Sequence, residues 1–426
     1  MNISQTFQDF LENLKVDNAD SISYKYKRIT KALNRKFRDS HSETNYSLQV
    51  GSYGRHTAIK GISDLDMIYE LPADLYQTYN SRSGNGQSAL LQDVKNAIKE
   101  TYSNTDIRGD GQVVVVSFSN YQVEVCPAFL QSDNSYKYPD SNNGGSWKIT
   151  KPRQEIEAVR NMNIATNGNM RRLAKMCRAW KNKNGVKIGG LLIDTFCYNF
   201  LKENESHWET TYSNYHILVR DFFEYLKDLS KDQKYWHAPG SNQKVYKKGN
   251  FSAKAKKAYN KVCEAIEKNE NKTVYAIWRK VFGVQFPYPR EVLECAQNYA
   301  ANEEFIENVV PVDIRFSLTI ECIATQKGFR DEILSLLPIL KKNKKLKFFI
   351  RNTDVPEPYD VKWKVKNKGE IAKAKDMFRG QIMDDFGNRI RKENSNFGGE
   401  HYVECYVIKD NVCVARDRID VPISRG

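Results

Sequence analysis

The sequence predicts an α/β (α+β) protein: a mixed sheet with a long helical spine and a helical lobe, then a small β-sandwich-like module. Three observations carry that reading. Residues 64–126 run strand, helix, strand, strand; about 155 to 306 is mostly of helical period; beyond 341 apolar residues alternate as in strands.

In chain order, Phe7, Phe10, Leu11 and Leu14 recur at helical spacing. After a break near Asp17 to Asp20, a second helical segment carries Tyr26, Ile29, Leu33 and Phe37 on one stripe. Its other stripe is Lys27, Lys31, Arg35 and Arg38, suited to solvent or to the phosphates of an activating RNA. DLDMIYEL at 64–71 reads as a strand, and VVVVSF and YQVEVC flank Ser119-Asn120 as the arms of a hairpin. Residues 132–153, rich in Ser, Asn, Gly and Pro, read as a loop. The helical stretch that follows breaks near 184–190, 203–209 and 237–250. Within it, MRRLAKMCRAWK sets Leu173, Cys177 and Trp180 on one side and Arg171, Lys175 and Arg178 on another. A composition shift near 307 divides the chain into residues 1–306 and 307–426, the second part β-rich. There VIKDNVCV reads as a hairpin with a short polar turn.

Composition sets limits. The net charge of +14, from 66 Lys and Arg against 52 Asp and Glu, suits a polyanionic partner or a solvated basic surface. No apolar run approaches the roughly 18 residues that span a bilayer, so no membrane role is expected. MNISQTFQDF lacks a basic-then-apolar leader, and the eight cysteines form no CxxC pair; both fit a cytosolic chain with reduced thiols. Trp147, Trp180 and Trp236 could stack on bases but read first as core.

The chemistry concentrates in GSYGRHTAIKGISDLD. Asp64 and Asp66 stand two apart on a strand, so both carboxylates face one small volume. Like charges held together need a cation, and Mg²⁺ takes such oxygen ligands together with substrate phosphates. In YQVEVC, Glu124 lies between Val123 and Val125, costly to bury unless a metal shared with the aspartates pairs it. Three such acids can hold two metals for phosphoryl displacement. Gly51 and Ser52 form a turn whose N–H groups and hydroxyl suit a triphosphate.

GSYGRHTAIKGISDLDMIYELP followed by YQVEVCPAF resembles the polymerase-β-like nucleotidyltransferase superfamily, and more closely the bacterial cGAS/DncV-like nucleotidyltransferases of anti-phage CBASS operons. PDSNNGGSWKITKPRQEIEAV and MRRLAKMCRAWKNKNGVKIGGLLIDTF are similar to the same group over about residues 1 to 300, and HYVECYVIKDNVCVARDRIDVPI resembles the AGS-C sensor domain. The resemblance implies an enzyme that makes cyclic di- or oligonucleotides from NTPs such as ATP or GTP, which then switch on an effector. It implies two Mg²⁺ ions, replaceable by Mn²⁺, on Asp64 and Asp66. Glu124 would help activate the acceptor ribose hydroxyl, Gly51 and Ser52 would grip the donor triphosphate, and Arg178 or Lys181 would neutralise phosphates. Two departures stand out: Glu124 is found where the family often has Asp, and Gly189-Gly190 where relatives often have serine. The alternatives are a polymerase-β-like transferase extending an RNA or other acceptor, and a catalytically silent nucleotide or nucleic-acid sensor.

Overall fold

In the sheet that carries the acidic motif, apolar alternation decides which way each strand faces. The computed structural model describes residues 2–61, 63–268, 273–288, 303–367, 372, 377, 379–385 and 387–424. These form two compact units, one of Leu11–Arg178 and Gly189–Lys247, the other of Met1–Phe10, Ala179–Ile188 and Lys248–Gly426. Neither unit is a continuous stretch of chain. In the second unit, Asn182 Nδ2 donates to the Val312 carbonyl at 2.9 Å and Asn184 Nδ2 to the Val281 carbonyl at 2.7 Å. Those bonds hold the 179–188 segment within it.

Helix α1 (Ile3–Asn13) and helix α2 (Ala19–Arg38) precede strand β1 (Ser47–Gln49), the short helix α3 (Gly51–Gly54) and strand β2 (Asp64–Glu70). Then come α4 (Leu75–Asn80), α5 (Gly86–Thr101), β3 (Asp106–Asp110), β4 (Val113–Ser117) and β5 (Gln122–Leu130). Asn85 caps α5 by accepting a bond from Ser88 N at 2.9 Å. The sheet order is β1-β2-β5-β4-β3, with β2 and β5 parallel and the other neighbours antiparallel. One sheet face is covered by helices: Leu65, Met67 and Tyr69 of β2 and Val123 and Val125 of β5 join Ile29 and Leu33 of α2 and Leu90 and Val94 of α5 in one buried core. The alternate residues of β2 and β5, including all three acids, therefore face away from that core.

Residues 132–153, expected to be a loop, instead hold a hairpin of β6 (Tyr136–Asp140) and β7 (Ser146–Thr150) that extends the sheet to seven strands. Its alternation is weak because Pro139, Lys148 and Asp140 occupy strand positions, leaving little apolar period to read. Helices α6 (Pro152–Ala165), α7 (Asn169–Asn184), α8 (Gly190–Glu203) and α9 (Tyr215–Asp228) follow, then a ribbon of β8 (Tyr235–His237) and β9 (Lys244–Tyr246) where only a helix break was expected.

In the second unit, α10 (Ser252–Glu267) and α11 (Val274–Phe282) precede the carboxyl-terminal strands. Trp278 and Phe282 of α11 stack with parallel rings 5.9 Å apart, and Phe7 meets Trp278 edge-on at 5.2 Å. Strands β10 (Leu318–Thr325), β11 (Glu332–Ile333), β12 (Lys345–Thr353) and β15 (Ile390–Asn394) form one sheet; β13 (Asp360–Lys366), β14 (Arg379–Asp384), β16 (Gly399–Lys409) and β17 (Val412–Ile423) form another. Ile320, Cys322 and Phe348 of the first share a core with Trp363, Val403 and Val414 of the second, the sandwich the alternation predicted. Asp410 and Asn411, at φ 51° and 59°, make the β16–β17 turn expected from VIKDNVCV.

Candidate active site

Register builds the site. Parallel pairing of β2 with β5 sets Asp66 opposite Glu124 and Asp64 opposite Gln122, so the three acids share the exposed side of adjacent strands. One carboxylate oxygen of each lies within 4.8 Å of the others, and all three residues are half-buried. The Ser63 hydroxyl donates to Asp64 Oδ1 at 2.9 Å and helps fix its rotamer. Such a set of hard oxygen donors fits a magnesium-type cation. The field of these acids also reaches a neighbour: burial, with Asp66 and Glu124 adding to it, pushes the Cys126 thiol up to about 12.

The glycine of the Gly51–Ser52 turn is required by its surroundings. Gly51 sits at φ +60°, and a Cβ there would lie 1.8 Å from Asp66 Oδ2. Val50 N donates to the Asp66 carbonyl at 2.9 Å, so the turn rests directly on the acidic strand. The Ser52 carbonyl accepts from Thr57 N at 2.9 Å and Ala58 N at 3.1 Å, closing the loop behind it. His56, in the same turn, is held at φ 58°, a strained setting for a side chain other than glycine.

A buried ionic cluster anchors this turn. Asp194 of α8, fully enclosed, accepts from Arg55 Nε at 2.7 Å, Thr57 Oγ1 at 3.1 Å, and Arg178 Nη1 at 2.7 Å and Nη2 at 2.9 Å. Arg55 also faces Glu155 at 3.6 Å, whose carboxylate accepts from Ser241 Oγ at 3.0 Å. Although burial alone would raise it, the pair of guanidinium groups holds the Asp194 carboxyl below its ordinary value.

Two residues expected at the phosphates are therefore engaged elsewhere. Arg178 is buried and bound to Asp194 and the Gly190 carbonyl; Lys181 is buried with Nζ 2.7 Å from Asp313 Oδ1. Gly190 opens α8 and supplies that carbonyl. The cations beside the turn are instead Arg171 and Lys175, from the same face of α7. Arg171 Nε donates to the Arg55 carbonyl at 3.2 Å. Burial together with the charges of Arg171 and Lys175 lowers the His56 pKa. Lys175 is itself lowered, by burial and then by Arg171, Lys15 and Arg178. No carboxylate within 4.0 Å pairs with it among the described residues, so positive charge accumulates here. Helical spacing sets Arg171, Lys175 and Arg178 on one side of α7 and does not by itself tell which of them a buried acid takes.

The α2 stripe is divided. Lys27 and Arg35 are exposed, whereas Lys31 pairs with Glu43 at 3.0 Å. Arg38 donates to the Glu70 carbonyl at 2.9 Å and lies 3.5 Å over the Tyr46 ring. Trp180 and Trp236 are buried, as first read, and Trp147 packs against the sheet core. No helix among the described residues is long and apolar enough to cross a membrane.

An acidic pair on one strand, a third acid on its parallel neighbour and a glycine–serine turn before them are the layout of a polymerase-β-like nucleotidyltransferase. The chain's matches lie with the cGAS/DncV-like branch of these enzymes. Residues 1–163 match the Second Messenger Oligonucleotide or Dinucleotide Synthetase domain, and residues 300–424 the Adenylyl/Guanylyl and SMODS C-terminal sensor domain. A "Probable cyclic nucleotide synthase" of Bacillus cereus is 23% identical over 272 residues, 56% of this chain and 81% of the relative. The "Cyclic AMP-AMP-AMP synthase" of Acinetobacter sp. is 23% identical over 305 residues, 67% of this chain and 86% of the relative. Among solved structures, Escherichia coli CdnC in its HORMA-deltaN complex superposes with a TM-score of 0.51 at 16% identity, covering 67% of this chain and 98% of that one. The Bradyrhizobium diazoefficiens CD-NTase CdnG in complex with GTP gives 0.50 at 8%, covering 67% and 96%. At such identities the superpositions establish the fold.

Proposed function

We propose that this enzyme joins nucleoside triphosphates, ATP and GTP among them, into a cyclic di- or oligonucleotide messenger for CBASS-type anti-phage signalling. The convergence of Asp64, Asp66 and Glu124 beside the Gly51–Ser52 turn is the observation that carries the reading. Asp64 and Asp66 would hold two divalent ions, magnesium or manganese, with Glu124 completing the ligand set. When bound, such ions supply positive charge to the triphosphate and to the developing oxyanions.

The chain's own groups do the rest. Gly51, lacking a side chain, leaves the backbone open to the donor triphosphate, and the Ser52 hydroxyl can donate to a phosphate oxygen. No carboxylate lies within 4.0 Å of Arg171 or Lys175 among the described residues, and Glu12 acts on Lys175 only from farther off, so an incoming triphosphate would neutralise this pair. Glu124 orients the acceptor ribose hydroxyl for in-line attack on the α-phosphate, with pyrophosphate leaving. Asp194, through Arg55 and Thr57, keeps the turn in place. A messenger made this way acts on an effector elsewhere, and the exposed Lys27 and Arg35 of α2 are the points at which an activating RNA would make phosphate contacts.

The test is to incubate purified protein with labelled NTPs and Mg²⁺ or Mn²⁺, treat with phosphatase and identify products by mass spectrometry. A resistant nucleotide from the wild type, missing from an Asp64→Ala, Asp66→Ala sample, is the expected result. Product found only on the 3′ end of an added RNA would replace the synthase with the acceptor-extending transferase. No nucleotide turnover with or without RNA would sink both.

A further inference from the structure

We propose that the carboxyl-terminal sandwich holds a binding site for an uncharged nucleobase-like heterocycle, a nucleobase or nucleoside, in the cavity between its two sheets. The cavity has a volume of about 110 Å³, several times what one water needs. Its floor is aliphatic and aromatic: Leu346 and Phe348 from β12, Val365 from β13, Val403 from β16 and Ile423 from β17, all buried. Cores of this size normally close over such a space, because side chains lining a void lose their packing partners. A void kept open over an apolar floor with polar groups at one edge is the form of a small-molecule site.

The edge determines the ligand class. Asn394 and Asn396, both exposed, stand at the rim with Asn367; side-chain amides offer a donor and an acceptor together, the pairing that reads a base edge. Phe397, at the same edge, meets His401 edge-on at 5.1 Å and provides an aromatic surface for stacking. The cations at this edge are already engaged: Arg379 Nη1 and Nη2 grip Glu393 Oε2 and Oε1 at 2.6 and 3.0 Å, and Arg391 Nε donates to Glu393 Oε1 at 2.7 Å. Burial lowers the His401 pKa, which disfavours a positive charge on its ring. A phosphate would face Glu393 with the Arg379 charge already engaged, whereas a neutral heterocycle meets amides, an aromatic ring and an apolar floor.

The walls are also pre-organised. The Tyr402 hydroxyl donates to Glu303 Oε1 at 2.6 Å while the Arg418 guanidinium covers its ring at 3.7 Å, and His401 Nε2 lies 3.2 Å from the Phe397 carbonyl. Fixed walls lower the ordering cost of binding. The inference does not depend on the synthase reading, since binding is measured directly.

The experiment titrates the full-length protein with adenosine, guanosine, cytidine and uridine by calorimetry, and follows thermal unfolding with each. ATP with Mg²⁺ serves as the charged comparison. At least one nucleoside is expected to bind and raise the melting temperature. The Asn394→Ala, Asn396→Ala double variant changes only exposed side chains, so its melting temperature without ligand stays that of wild type while its nucleoside affinity falls tenfold or more. Affinity should be unchanged in the Asp64→Ala, Asp66→Ala protein. If none of the four binds, the cavity does not take this class. Binding indifferent to the rim variant, or lost with the two aspartates, would place the nucleoside elsewhere and overturn the proposal.

Discussion

Replacing Gly51 by alanine tests the site's geometry at its tightest point. The new Cβ would fall 1.8 Å from Asp66 Oδ2 and 2.6 Å from its Cγ, so the carboxylate must retreat by about 1 Å or rotate away. Either movement takes a ligand oxygen out of the cluster it forms with Asp64 and Glu124. A misplacement of about 1 Å at a reacting centre costs on the order of 100-fold in rate. The stability effect is separate and smaller. Alanine at φ +60° pays roughly 1–2 kcal/mol for the left-handed conformation. In a unit of this size that lowers the melting temperature by roughly 2–8 °C. The assay is steady-state product formation at saturating Mg²⁺ and NTP, with unfolding followed in parallel. Gly109→Ala is the control, since a Cβ there meets nothing within 4 Å in the same sheet. A Gly51→Ala enzyme within about threefold of wild type would refute the argument that Asp66 must hold this position.

Three further outcomes follow from the surroundings of the turn. Asp194→Asn leaves Arg55 and Arg178 buried without their shared carboxylate, and stability should fall by about 3–5 kcal/mol. Because the folded Asp194 pKa lies below the ordinary 3.8, its stabilisation is complete above that pH and is lost only as pH falls through the folded value. The difference between wild type and variant, read from denaturant melts, should therefore be flat from pH 8 to 5; a gap that narrows across that range would contradict the assignment. Lys175→Met should raise the KM for NTP about tenfold with little change in melting temperature, whereas Arg178→Met should lower the melting temperature. The opposite pattern would return the phosphate contact to Arg178. Finally, Lys27→Glu with Arg35→Glu should abolish any stimulation by structured RNA and flatten its salt dependence, by a log–log slope of about 0.7–0.9 for each contact removed. Equal stimulation of variant and wild type would leave the stripe a solvated face.

What the sequence made legible was whatever depended on local period. Strand alternation alone put Asp64 and Asp66 on one face of β2 and Glu124 opposite Val123 and Val125 on β5, and the observed parallel register brings those two faces together. The hairpin at 136–150 escaped because its strands lack that period. The proposed phosphate cations escaped for another reason: helical spacing groups Arg171, Lys175 and Arg178 on one side but says nothing of the acid that takes one of them. Arg178 finds Asp194, 16 residues on, and Lys181 finds Asp313, 132 residues on. For the first pair a signal was nevertheless present. In GLLIDTFCYNFL, the first twelve residues of α8, one carboxylate stands among mostly apolar residues. A buried carboxylate of that kind requires hydrogen-bonding cations. The basic residues upstream, Arg55 beside the Gly51–Ser52 turn and Arg178 on the preceding helix, were the available partners. Reading the lone acid first would have assigned those two arginines to the fold and left Arg171 and Lys175 as the candidates for the substrate.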